Sequence, residues 1–256
     1  MLFQFEISTH CTFTCFYCAG RKMPQKHMEW GLFEQLLAGL PKGPHIVSLQ
    51  GEGEPTLHPR FWDMVSAVRR RGYVPTTITN GYEIDTVRMA AEMPNVAVSL
   101  DTLDEIEATR IGRLKLPRVL ANLERLLVAM GPARIRNMTE DYGQDLSGLR
   151  AFLKGKHIDQ HIVQPLQGKD DYARRYPERM PVNGQYHHQC RFLKAPVMRF
   201  YDIAGREMPC CFIKDPSAFT SIDALTAELA RGLVPKSCSG CREIMSQPLA
   251  GAEEIT

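Results

Sequence analysis

Leu2-Phe3-Gln4-Phe5-Glu6-Ile7-Ser8 leads, after Thr9 and His10, into Cys11-Thr12-Phe13-Thr14-Cys15-Phe16-Tyr17-Cys18. The first seven residues alternate apolar and polar side chains, the period of a half-buried strand. Three thiols therefore share one loop at the C-terminal end of a first strand. Further strands are expected at His45–Gln50, Val74–Thr79, Val96–Leu100, Ala133–Met138 and Ile158–Gln164. Between them Leu32–Leu40, Phe61–Arg71, Asp85–Met93, Pro117–Met130 and Asp145–Lys154 space their apolar residues as helices do. Strand and helix in alternation give a parallel sheet with helices outside. Six such units stop short of the eight that close a barrel, so the expected fold is α/β, a partial (β/α)6 barrel with ligands at the strands' C-terminal ends.

The 256 residues suffice for one sizeable α/β domain and a small annex. Hydrophobic residues at 44% and charged residues at 23% are ordinary globular values, which excludes wholesale disorder. A formal charge of +2 is far from the basic balance that tracks a nucleic-acid backbone, so no nucleic-acid partner is expected. No apolar run reaches membrane-spanning length and Leu2–Ile7 lacks a signal-peptide core, so the expected location is cytoplasmic, with no membrane partner. In a reducing compartment clustered cysteines more often hold metals or do redox work than form disulfides. After Cys18 none occurs until Cys190, and Cys210, Cys211, Cys238 and Cys241 follow, which suits two separate thiolate sites.

Domain boundaries follow composition. Residues 1–165 carry the barrel pattern, and 166–186 turn polar as a linker or substrate-covering loop. Residues 187–256 form a second domain with a hairpin, Val197–Tyr201 and Arg206–Met208 around Asp202–Gly205, and a helix, Ser221–Arg231, capped by Ser221 and stopped by Gly232.

Three thiolates can hold three irons of a cubane cluster and leave the fourth iron open. The alternative is a zinc knuckle that recruits His10 or another fourth ligand. Cys11-x3-Cys15-x2-Cys18, with aromatic Tyr17 before the last cysteine, resembles the signature of the radical S-adenosylmethionine (SAM) superfamily. The resemblance implies that a [4Fe-4S] cluster on Cys11, Cys15 and Cys18 binds SAM through its amino and carboxylate groups. It implies further that one electron from the cluster cleaves SAM to a 5′-deoxyadenosyl radical.

Gly51-Glu52-Gly53-Glu54-Pro55 after the second strand resembles the family's glycine-glutamate motif, where backbone carbonyls and a carboxylate receive the SAM amino group. Glycines permit close backbone approach and the Glu54 carboxylate suits an ammonium; a solvated acidic turn is the plain alternative. Asn80-Gly81 and Ser99-Leu100-Asp101 end the third and fourth strands and resemble positions that hydrogen-bond the SAM ribose or carboxylate. Arg110 matches an arginine that pairs with the SAM carboxylate in related enzymes. The cofactor-binding set is thus Tyr17, Gly51, Glu52, Gly53, Glu54, Asn80, Ser99, Asp101 and Arg110.

Cys190, Gly205-x4-Cys210 and Cys238-x2-Cys241 resemble the SPASM/twitch auxiliary-cluster region of the same superfamily. Four thiolates close a cubane completely, so a second, auxiliary [4Fe-4S] cluster on Cys190, Cys210, Cys238 and Cys241 is implied, in a small C-terminal domain of β-hairpin plus short helix. Cys211 is left over because the glycine spacing selects Cys210; a four-cysteine zinc site is the alternative. The full SPASM pattern has seven cysteines, and this chain has five there, which implies the single-cluster version. His187 and His188 stand beside Cys190 as outer groups.

The resemblance covers residues 2–110 by motif and 190–241 by cysteine spacing. The stretch between holds the candidate substrate contacts Arg136, Asn137, His161, Gln164, Lys169, Asp170 and Tyr172. A radical source beside a closed second cluster implies a two-electron oxidation, as in the compact alcohol dehydrogenases of aminoglycoside biosynthesis, with a flavodoxin or ferredoxin as reductant. A maturase of ribosomally made peptides is the second reading, and a non-catalytic metal-binding or redox-sensing module is the reading from another class.

Overall fold

The computed structural model describes residues 1–18, 23–165, 186–195, 197–213, 219–238 and 241–248. The expected linker falls outside these apart from Tyr186, and Lys169, Asp170 and Tyr172 fall outside with it. The chain divides into two compact units, Leu2–Leu166 with Tyr201–Arg206, and Gln167–Phe200 with Glu207–Thr256.

The first unit runs β1 (Leu2–Phe5), α1 (Trp30–Gly39), β2 (Ile46–Leu49), α2 (Phe61–Arg70), β3 (Val74–Thr76), β4 (Ile78–Thr79), α3 (Thr86–Glu92), β5 (Val96–Ser99), α4 (Glu105–Arg110), α5 (Leu116–Met130), β6 (Ile135–Asp141), α6 (Ser147–Gly155) and β7 (His161–Pro165). Strands β1, β2 and β3 pair in parallel, as do β4, β5, β6 and β7. The fold is α/β and the barrel is partial and unclosed. The expected strand Val74–Thr79 is broken at Thr77. Its hydroxyl donates to Leu49 O at 2.6 Å while its carbonyl accepts from Ala97 N at 3.0 Å, so the first half pairs with β2 and the second with β5. Helix α4 escaped the sequence reading because it is short, but Asp104 caps it in the usual way, accepting from Glu107 N at 2.9 Å.

Register settles which residues face the helices. Phe5 meets Phe33 of α1 edge-on at 5.6 Å, and a Cβ on Gly81 would stand 3.2 Å from both Val98 and Val119 of α5, so Phe5 and Val98 face outward to the helices. Parallel partners share a face and neighbours along a strand alternate. The inner face therefore carries Gln4 and its partner Ser48, Ala97 and its partner Arg136, Ser99 with Met138 and Ile162 in register beside it, and Glu140 and its partner Gln164. Asn137 is the partner of Val98 and His161 the partner of Asn137, so both candidate substrate contacts face the helices and not the barrel interior. Asn137 Nδ2 instead donates to Leu100 O at 3.1 Å, and Thr139 Oγ1 contacts His161 Nε2 at 2.9 Å.

The second unit holds β8 (Tyr186–Cys190), α7 (Arg191–Lys194), β9 (Met198–Tyr201, whose last residue belongs to the first unit), β10 (Glu207–Met208), α8 (Ile222–Ala230) and β11 (Ile244–Pro248). Strands β9 and β10 are hydrogen-bonded neighbours around the Asp202–Gly205 turn, where Gly205 takes φ +81. Ser221 Oγ accepts from Ala224 N at 3.0 Å, and Gly232 follows α8 at φ +76. The antiparallel pair β8–β11 was not foreseen, since Tyr186–Cys190 reads as polar chain. Among the described residues no helix is long and apolar enough to cross a membrane.

His58 supplies a pH-dependent contact in the first unit. Its Nε2 lies 3.0 Å from Met28 O and must donate; its Nδ1 accepts from Arg60 N at 3.0 Å. That pattern requires the neutral ring, and burial lowers the His58 pKa below 6.5. A depressed histidine pKa means that the unfolded chain takes the proton first, so this contribution is intact above about pH 6.5 and is lost as pH falls toward the folded value. The melting temperature should fall as pH drops below about 6.5, with a flatter profile in His58→Gln; identical slopes in the two proteins would remove His58 as the cause.

Candidate active site

The cysteine loop is held by backbone bonds on both flanks. Thr9 N donates to Lys26 O at 2.9 Å, Thr14 N to Gly112 O at 3.0 Å and Phe16 N to Ile111 O at 3.1 Å. Cys15 is buried, Cys18 half-buried and Cys11 exposed, and all eight cysteines of the chain are free thiols. Cys11 Sγ accepts from Phe13 N at 3.4 Å and lies 3.8 Å from Asn80 Nδ2. Although Cys11 as a residue is exposed, protein packed around its sulfur desolvates the thiolate and pushes the thiol up, and those two N–H groups oppose the shift by favouring the thiolate. Thiolates are what irons take, so this donor set, graded from covered to open, fits a cluster with one accessible side. Among the described residues no three His, Cys, Asp or Glu groups close around a single-ion site.

The Gly51–Pro55 turn is laid directly on this loop. A Cβ on Gly53 would stand 2.6 Å from the carbonyl oxygens of Ser8 and His10, so only glycine lets Glu54 N reach His10 O at 2.7 Å. A Cβ on Gly51 would meet the Glu6 side chain at 2.4 Å, and Glu6 Oε1 accepts from Glu52 N at 3.0 Å. Glu54 is buried rather than solvated. Oε1 accepts from Thr56 N, Thr56 Oγ1 and Thr79 Oγ1 at 3.2, 2.7 and 2.8 Å, and Oε2 from Asn80 N at 2.6 Å. Burial raises its pKa and these donors pull it back. Oε2, with a single donor, keeps a lone pair for a cation. Asn80 Oδ1 accepts from Tyr82 N at 2.9 Å and its amide nitrogen reaches Thr12 Oγ1 at 3.2 Å, so Asn80 joins the third strand end to the cysteine loop.

A narrow cleft opens between Phe13, Asn80, Ser99, Asp101 and Arg113. Asp101 lies inside the protein at 1% exposure, with Oδ1 accepting from Glu140 N at 2.9 Å and Oδ2 paired with Arg113 Nε at 2.9 Å. The Tyr17 hydroxyl also donates to Asp101 and accepts from Arg113 Nε at 2.9 Å. Arg113 Nη2 donates to Ser99 Oγ at 2.7 Å. Burial alone would lower the Arg113 pKa; Asp101 and Tyr17 outweigh it and hold the guanidinium charged. Arg110, the arginine expected in the cofactor set, is elsewhere. It sits exposed at the end of α4 and makes two 2.6 Å bonds to Glu107. Arg-Ile-Gly-Arg offers two arginines three residues apart, and only the unforeseen helix decides that Arg113 is the one turned inward.

In the second unit Cys190, Cys210, Cys238 and Cys241 are all buried at 4–6% exposure, whereas Cys211 is half-exposed. Cys190 ends β8 opposite Ile244, and Cys241 lies just before that strand, its amide donating to Cys238 O at 3.0 Å. His188 is buried, with Nδ1 2.8 Å from Ser246 Oγ.

An unclosed parallel barrel with three thiols after its first strand and glycine-rich turns at later strand ends is the frame of a cluster-bearing enzyme, and residues 5–144 match the model of the radical SAM superfamily. The match spans more than half of the chain, and the chain belongs to that superfamily. It is a radical SAM enzyme, whose domain carries a [4Fe-4S] cluster that binds SAM. Over 99 residues it is 34% identical to a tungsten-containing aldehyde ferredoxin oxidoreductase cofactor-modifying protein of Pyrococcus furiosus, a match covering 37% of this chain and 28% of that one. Another match, 29% identical over 107 residues and covering 40% of this chain and 38% of the relative, is an S-adenosylmethionine-dependent nucleotide dehydratase of a Thermoplasmatales archaeon. The chain therefore spans well under half the length of these curated relatives. Among solved structures, BtrN in complex with AdoMet and 2-DOIA superposes with a TM-score of 0.51 at 13% identity, over 90% of this chain and 87% of that one. SuiB of Streptococcus suis gives 0.63 at 14% identity, over 86% and 62%.

Proposed function

We propose that this enzyme oxidises a secondary alcohol of a sugar or aminocyclitol to a ketone. The observation that carries the reading is the set of polar side chains on the inner face: Gln4, Ser48, Ser99, Arg136, Glu140 and Gln164, interspersed with Ala97, Met138 and Ile162, suit a small molecule rich in hydroxyl and amino groups, which gains specificity from paired hydrogen bonds. The near-equal extents matched with BtrN, solved with the small molecule 2-DOIA, support it as well.

Cys11, Cys15 and Cys18 would hold the first cluster; Gly51 to Glu54, Asn80 and Ser99 would hold SAM, with Glu54 Oε2 toward its ammonium. Cys190, Cys210, Cys238 and Cys241 would hold an auxiliary [4Fe-4S] cluster. Bound there, cluster and SAM supply a carbon radical once a flavodoxin or ferredoxin gives an electron. The alcohol would lose a hydrogen atom to that carbon radical, a proton to solvent and one further electron, for which an auxiliary cluster would be the acceptor, and these together make a two-electron oxidation. The inner-face side chains orient the hydroxyl and keep competing hydroxyls away from the radical.

The test is anaerobic incubation of the reconstituted enzyme with SAM, reductant and panels of aminocyclitols, sugars and short cysteine-containing peptides. Loss of two hydrogens from a member of the first two panels, found by mass spectrometry, supports the proposal. A mass change confined to peptides overturns it in favour of a maturase, the class suggested by SuiB bound to its precursor peptide SuiA.

A further inference from the structure

We propose that Arg113 is a positioning residue that clamps the cysteine loop onto the end of β5 and that its fixed charge sets the reduction potential of the cluster on that loop. This rests on family membership and not on the substrate reading.

Tyr17 lies between two of the three thiols, and its hydroxyl reaches from the cysteine loop to the Arg113–Asp101 pair. Arg113 is buried to 12% exposure of its side chain, Asp101 to 0%, and each of Arg113's three nitrogens makes a bond: Nε to Asp101 and Tyr17, Nη1 to Ser99 O at 2.5 Å and Nη2 to Ser99 Oγ at 2.7 Å. Ser99 thereby fixes the guanidinium to β5, and the guanidinium fixes Tyr17. The same segment grips the loop's backbone through Ile111 O and Gly112 O. A Cβ on Gly112, at φ +86, would fall 2.3 Å from Thr14 O, so the two backbones are in contact and leave the loop no slack. Tyr142 covers Tyr17 in a stack at 5.8 Å between ring centres.

The clamp is also electrostatic. A cation in a water-poor site acts strongly on nearby charge; Arg113 Nε lies 2.9 Å from the hydroxyl of Tyr17, inside the cysteine loop, and also offsets the buried Asp101 carboxylate, so removing the guanidinium would leave that negative charge uncompensated beside the loop. Adding an electron to the cluster makes it more negative; a nearby fixed positive charge favours that step and raises the potential.

Three variants of the holoenzyme separate geometry from charge. Tyr17→Phe removes the hydroxyl link and leaves the ion pair, so iron release to a chelator should quicken about tenfold and amides 12–18 should exchange faster, with the cluster midpoint potential unchanged. Arg113→Gln removes the charge and should move the midpoint of the SAM-responsive cluster, followed by electron paramagnetic resonance, to more negative values. Arg113→Lys restores the charge without the fork, so its midpoint should return toward wild type while iron release stays fast. Wild-type iron release in Tyr17→Phe overturns the clamp. A wild-type midpoint in Arg113→Gln overturns the electrostatic part, and if that variant does not fold, a midpoint in Arg113→Lys as far from wild type as that of a charge-neutral Arg113→Met does the same.

Discussion

Cys15→Ala is expected to abolish SAM cleavage and to lower iron from about eight to about four per chain, whereas Cys190→Ala or Cys210→Ala should lose a similar amount of iron and keep chemically driven SAM cleavage. The difference follows from the separate tasks proposed for the two thiolate sets. The first must present an open iron to SAM, and Cys15 is its buried member, set in a loop whose backbone is bonded on both sides. The second only receives an electron, so its loss should drive product formation to background while SAM is still consumed. Cys211→Ala is the control: Cys211 is half-exposed where the other four are buried, and its removal should leave iron and turnover intact. Wild-type enzyme with about four irons and one zinc per chain, or full turnover by Cys210→Ala, would defeat the two-cluster proposal.

Glu54→Ala should weaken SAM binding and also destabilise the fold. The carboxylate accepts four protein hydrogen bonds, among them the backbone amides of Thr56 and Asn80, and is 2% exposed. Each buried donor left without an acceptor costs about 1–3 kcal/mol, so a total of roughly 3 kcal/mol or more is expected. For a chain of this size that corresponds to a fall of about 6–12 °C in melting temperature. Calorimetry on the cluster-loaded protein below the lowered transition separates the two effects. A folded variant with unchanged SAM affinity would restrict Glu54 to its role as a structural brace.

The strand-helix alternation was legible because it depends on local periodicity, and five helices and six strand positions follow from it. What periodicity missed depends on partners distant in sequence. Tyr186–Cys190 becomes a strand only because Ile244–Pro248 lies beside it. The faces of β6 and β7 depend on partners in the same way: Asn137 and His161 are polar, yet register with Val98 turns them to the helix side, where Leu100 O and Thr139 receive them. In the candidate site, residue types at strand ends marked Glu54, Asn80, Ser99 and Asp101, and the structure brings all four around one cleft and its adjoining turn. Spacing could not choose between Arg110 and Arg113, because that choice belongs to a six-residue helix held by a single cap.

The interruption at Thr77 has a mechanical meaning. A continuous ladder resists bending because a change of angle strains successive hydrogen bonds together. Here one threonine carries the junction with its hydroxyl on Leu49 and its carbonyl on Ala97, so the curvature of the open wall is concentrated at a seam one residue wide. The ladder on either side ends at this residue, and its two bonds join the halves across it. Thr77 stands three residues before Asn80, whose amide reaches Cys11 Sγ at 3.8 Å, so the seam in the wall and the cysteine loop are joined by one short stretch of chain.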